Sequence, residues 1–159
     1  MNRELSKPHI ILVRHAIAAD RVPGIPDTDR ALTKKGVRLF EAMLPQALDR
    51  LGGQRLMLWA SPALRAQQTA RMLAQAFAVQ QVDLFDFILT GGWPQLMDAV
   101  RMLSPVPDAL LIVGHQPHLT EWALHLSGQE VPFRKGEMAC FDNPSGTGTG
   151  RLLWRITPA

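Results

Sequence analysis

The chain has 159 residues, 47% of them hydrophobic and 19% charged, with a formal net charge of +3 and a pI near 9.6. That length fits one domain with one substantial core, and that balance excludes a chain too polar to fold. The basic residues are scattered rather than striped, which argues against a nucleic-acid partner and suits an anionic substrate.

No apolar run approaches the roughly 18 residues needed to cross a bilayer, so no membrane partner is expected. The N-terminus lacks the pattern of a secretory leader. The single cysteine, Cys140, excludes an internal disulfide. A reducing, cytoplasmic setting is the expectation, with a monomer favoured.

A first strand is predicted over 9–14 (HIILVR), followed by a loop rich in Pro, Gly and Asp. Thr33 can cap a helix whose apolar face is read as Val37, Phe40, Leu44, Leu48 and Leu51. Pro45 falls inside that pattern and predicts a kink or an early stop. A second strand covers 56–60, after which Ser61-Pro62 supplies a cap and a first-turn proline for a helix through about Phe77.

A short strand near 82–84 and a helix from Trp93 to Leu103 come next. The third strong strand, 109–114 (ALLIVG), is apolar throughout, as a buried parallel strand is. Gln116-Pro117 opens a helix carrying Leu119, Trp122, Ala123 and Leu126 at helical spacing. Two strands, around 137–142 and 151–157, pair as an antiparallel edge across a Gly/Ser/Thr loop at 143–150. That loop lacks the lysine and spacing of a P-loop. Strand–helix alternation with short loops predicts an α/β three-layer sandwich with a mostly parallel sheet.

Ligands of such sheets bind beyond the carboxyl ends of the strands. The first strand ends in Arg14-His15, the second leads to Ser61-Pro62 and Arg65, and the third ends in Gly114-His115. Each residue alone has an ordinary explanation: a loop histidine, or a solvated arginine. Arg65, however, stands in a helix's first turn, where the helix dipole favours an anion. A bound anion would relieve it. Two imidazoles and two guanidinium groups at three strand exits are predicted to converge on one tetrahedral dianion.

The stretches LVRHAIAAD, SPALRAQQTA and VGHQP resemble the motifs of the histidine phosphatase superfamily, whose fold is phosphoglycerate mutase-like. The short length and the segment DTDRALTKKG resemble its SixA-type phosphohistidine phosphatase branch. The resemblance implies one histidine phosphatase domain over 1–159 that uses no metal or organic cofactor. His15 is then the nucleophile that becomes phosphorylated, and Arg14, Arg65 and His115 bind the phosphoryl oxygens. It further implies hydrolysis of phosphohistidine in proteins. The alternatives are a small-molecule phosphomonoesterase and a catalytically quiet module that binds phosphorylated partners.

Two departures bear on that choice. Ala16 stands where the family usually has glycine, and its methyl could crowd the pocket. No carboxylate announces itself as the general acid: Asp86, Asp20, Glu121 or none could serve. Phosphohistidine needs such an acid least, because its leaving nitrogen is easily protonated from solvent. Asp20 and His118 are further candidates for the pocket rim. His115 and His118 have a spacing that could mimic a metal pair, but no cysteine or carboxylate cluster accompanies them, so zinc is not expected.

Overall fold

The structure, a computed structural model, describes residues 7–142 and 150–158. Its centre is a six-stranded sheet built from β1 (His9–Arg14), β2 (Leu56–Ala60), β3 (Val82–Leu84), β4 (Ala109–Gly114), β5 (Met138–Phe141) and β6 (Leu152–Ile156). The order across the sheet is β3-β2-β4-β1-β5-β6. The first four strands in that order run parallel, and β5 and β6 add an antiparallel edge. Most of the predicted loop between β5 and β6 lies outside the described residues.

Among the described residues five α-helices cover the two faces: α1 (Lys34–Leu51), α2 (Leu64–Phe77), α3 (Asp86–Thr90), α4 (Trp93–Arg101) and α5 (His118–Ser127). Alternation along the strands sorts the core into two halves. Ile11 and Val13 of β1 pack with α1 and α2, whereas Ile10 and Leu12 face α3, α4 and α5. β4 is buried at every position, which explains its unbroken apolar run. The architecture is the α/β three-layer sandwich expected.

Three local expectations need correction. α1 runs through Pro45 without a break; Pro45 lies on the exposed face, where the Glu41 carbonyl that loses its N–H partner can turn to solvent. Its buried stripe is Gly36, Phe40, Met43, Ala47 and Leu51, so Leu48 faces solvent and Val37 and Leu44 are only half-buried. α2 begins at Leu64, not at the Ser61-Pro62 step, and Ala63 precedes it without a side-chain cap. The short helix α3 was not foreseen. Its five residues span little more than one turn and carry too little periodicity to read.

The segment between β1 and α1 is anchored at its base. Ala18 and Leu32 form an isolated antiparallel bridge, and the Gln68 side-chain carbonyl accepts from the Leu32 amide at 2.7 Å. Thr33 caps α1 as predicted, its hydroxyl accepting from the Gly36 amide at 2.9 Å. Gly36 is required there: a Cβ would lie 2.2 Å from the carbonyl oxygen of Ile17. The first turn of α1 therefore rests directly on the backbone just beyond His15.

Candidate active site

Sheet register brings the two histidines together. Arg14 of β1 pairs with Gly114 of the neighbouring β4, so the next residue on each strand is a histidine at the same level. The His15 amide donates to the Gly114 carbonyl at 3.2 Å, and the two imidazole centroids lie 5.2 Å apart. β2 flanks β4 on the other side, and the Ser61 amide donates to the Val113 carbonyl at 3.0 Å. Three adjacent strand exits thus deliver His15, His115 and Ser61 to one place.

The orientation of His15 is set by its own loop. Its Nδ1–H donates to the Ala16 carbonyl at 2.8 Å, because a carbonyl can only accept. The neutral ring then carries its lone pair on Nε2. His115 is held through Nε2, 2.8 Å from the Ser61 hydroxyl, while its buried Nδ1 has no partner among the described residues. Ser61 is the residue that sequence reasoning assigned to a helix cap. Its hydroxyl accepts from the Ala63 amide at 3.2 Å and also engages His115.

The two arginines approach from either side. Arg14 donates from Nη1 to the Phe133 carbonyl at 2.8 Å, and Arg65 donates to Asp27 twice, to its carbonyl at 2.8 Å and its carboxylate at 3.0 Å. Asp27 opens a short 3-10 turn (Asp27–Asp29) and also meets Arg30 at 2.9 Å and Arg21 at 3.2 Å. Burial alone would raise its carboxyl pKa, but Arg30 and Arg65 outweigh that and hold it below the usual value. Arg65 therefore has a carboxylate partner within the chain, which the dipole argument did not anticipate. The two residues lie 38 positions apart in the chain, and no local pattern joins them.

Thr69 is a further residue that sequence reasoning passed over. Fully buried, it donates to the Arg65 carbonyl at 2.8 Å and accepts from the Ala16 amide at 3.1 Å. One hydroxyl thus ties the helix carrying Arg65 to the residue after His15.

Together these groups wall a cavity of about 230 Å³ lined by Arg14, His15, Ala18, Arg21, Arg30, Arg65, His115, Gln116 and Lys135. His15, Arg14, Arg65 and His115 are brought together there, and Arg21, Arg30, Gln116 and Lys135 join them. Asp86, Asp20 and His118 do not line it. Asp86 is exposed at the start of α3, and Asp20 is exposed in the loop beyond β1. The His118 ring is packed against Gly91, where a Cβ would come within 2.3 Å of it, and lies over Trp122. Glu121 is exposed beside His118, at 3.9 Å. Ala16 is a member of the core cluster beneath the site and is absent from the cavity wall, so its methyl does not crowd the pocket. Among the described residues, no group of three or more His, Cys, Asp or Glu side chains could hold a metal ion.

Burial first, and then Arg65, Arg14 and Arg30, push the His15 pKa down to about 4, against a small opposing effect of the Ala16 hydrogen bond. Burial, followed by the neighbouring His15 and Arg65, pushes His115 down to about 3. Both rings are neutral at neutral pH. An unfolded chain protonates them near 6.5, so below that pH it binds protons that the folded chain does not. Stability should rise with pH between about 4 and 6.5, by at most about 1.4 kcal/mol per pH unit for each ring. Thermal unfolding across that window checks this. A His15→Asn, His115→Asn double variant should show a flatter profile, and an unchanged slope would contradict the assignment.

The α/β sandwich carries a polycationic pocket beyond the carboxyl ends of β1, β2 and β4, of a charge that suits an anion. Residues 10–102 match the model of the histidine phosphatase superfamily (branch 1), and the chain belongs to that superfamily. An uncharacterized protein of Picosynechococcus sp. (strain ATCC 27264 / PCC 7002 / PR-6) is 39% identical over 112 residues, covering 69% of this chain and 67% of its own. The fold is of the SixA type. The crystal structure of SixA from Agrobacterium tumefaciens superposes with a TM-score of 0.80 at 24% identity, covering 96% of this chain and all of that one. A structure of the protein histidine phosphatase SixA complexed with tungstate gives 0.77 at 20% identity, over 94% of this chain and 97% of that one. No helix among the described residues is long and apolar enough to cross a membrane.

Proposed function

We propose that this chain is a phosphatase that works through a phosphohistidine at His15 and acts on phosphohistidine in proteins. The observation that carries the reading is the Nδ1–Ala16 hydrogen bond, which leaves Nε2 of a neutral, buried imidazole as the lone-pair nitrogen inside a ring of cations. Nε2 attacks phosphorus in line as the bond to the leaving nitrogen breaks, and water then cleaves the phosphoenzyme, returning His15 and releasing phosphate. Arg14 and Arg65 balance charge on the transferring oxygens, since phosphoryl transfer depends chiefly on positioning and electrostatics. The Ser61 hydroxyl can donate to Nε2 of His115, which places the His115 proton on Nδ1 as a further donor. That SixA of the same fold was solved with tungstate, a tetrahedral oxyanion like phosphate, is consistent with this use of the pocket.

The preference for a P–N bond follows from the cavity wall. Among the described residues it contains no carboxylate, and an alkoxide leaving group needs a proton donor that an imidazole leaving group does not. Turnover of a phosphohistidine peptide is expected to exceed that of a sugar monophosphate by a large factor. Steady-state kcat/KM on the two substrates decides the matter, and a clear preference for the sugar phosphate would refute the substrate assignment. Residues 1–159 are proposed to act as one domain.

A further inference from the structure

Five cationic side chains, those of Arg14, Arg21, Arg30, Arg65 and Lys135, line a cavity whose only apolar lining residue among those described is Ala18. Asp27 sits against three of them and offsets one charge. A phosphoryl group brings close to two negative charges at neutral pH. With both imidazoles neutral, about two positive charges stay unneutralised once that group is bound.

The surplus is localised. Arg14 is tied to Phe133, Arg65 to Asp27, and Arg30 to Asp27 and the Ala19 carbonyl. Arg21 reaches only the Asp27 carboxylate and is 81% exposed, and Lys135 makes no hydrogen bond or ion pair among the described residues. The backbone under Lys135 is fixed. The next amide, that of Gly136, donates to both the Arg14 and the His15 carbonyls, at 3.1 and 3.0 Å. Lys135 therefore stands on a turn bolted to the nucleophile's own strand end, and Arg21 on the loop that crosses to Arg65.

We propose that Arg21 and Lys135 form a second anion subsite at the cavity mouth, selecting substrates with another anionic group beside the phosphoryl group. This rests on reading the cavity as a phosphoryl site and does not require that the phosphoryl group come from histidine. The second group is either an acidic residue flanking phosphohistidine or a further phosphate on a small molecule.

Two measurements on the wild-type chain and an Arg21→Ala, Lys135→Ala variant separate these sources. The first compares kcat/KM for phosphohistidine peptides flanked by glutamate or by alanine. The second compares binding of pyrophosphate and inorganic phosphate by calorimetry, which needs no turnover. Two partly screened ion pairs predict roughly a tenfold preference for the more anionic member of a pair. The variant should bring that ratio to near one, and high salt should do the same. A preference in the pyrophosphate arm alone upholds the subsite while counting against an acidic peptide. No preference in either arm, or an equal loss on both members of each pair, overturns the proposal.

Discussion

Replacing Arg65 by alanine should lower kcat/KM by roughly 10²- to 10³-fold, the scale of losing one preorganised oxyanion donor. A guanidinium group has five N–H donors, and the structure shows how Arg65 divides them. Nη1 and Nη2 each donate once to Asp27, which fixes the plane of the group. Nε is buried with no partner among the described residues, and Arg65 lines the cavity. Lysine at this position would keep the charge but could not hold Asp27 and a phosphoryl group in one plane. Arg65→Lys should therefore recover little of the loss. An effect of alanine below about threefold would mean that Arg65 does not touch the phosphoryl group.

The larger effect is expected at His15. His15→Ala should reduce turnover to the level of the uncatalysed reaction plus whatever the remaining electrostatics supply, because no other side chain in the cavity wall can replace its lone pair. Gln116 is an amide, His115 is engaged by Ser61, and the remaining polar groups are cations. The variant should still fold, since the His15 ring makes its single side-chain hydrogen bond to its neighbour's backbone. Thermal unfolding at neutral pH separates loss of chemistry from loss of structure. Turnover persisting in a folded variant would refute His15 as nucleophile.

Much of this site was legible because strand exits are legible. Uninterrupted apolar runs mark β1 and β4, and the charged and imidazole residues at their ends stand together where ligands of such sheets bind. The meeting of His15 with His115 then follows from the parallel register of two neighbouring strands. The counterion Asp27 was not legible, because it reaches Arg65 through a loop crossing that no local pattern encodes. Thr69 was hidden for a different reason: its two hydrogen bonds link residues 53 positions apart on one side and one helical turn apart on the other.

The face of α1 shows how hydrophobicity can mislead. The apolar stripe through Val37, Leu44 and Leu48 competes with one containing Gly36 and Ala47, and the second is the buried one. Small residues win where a helix must approach the backbone closely, as α1 does at Ile17. Likewise, the alanine at position 16 looked like a threat to the pocket when only its position after His15 was known. Its backbone is occupied on both sides, by Thr69 and by His15 Nδ1, and its methyl belongs to the core.

The most direct test is to quench the wild-type protein during turnover of a ³²P-labelled substrate, digest it under alkaline conditions and map the label. The account predicts acid-labile phosphate on the peptide containing His15, appearing and decaying at the rate of turnover. Hydrolysis proceeding with no label on the protein, or label carried by a different residue, would contradict it.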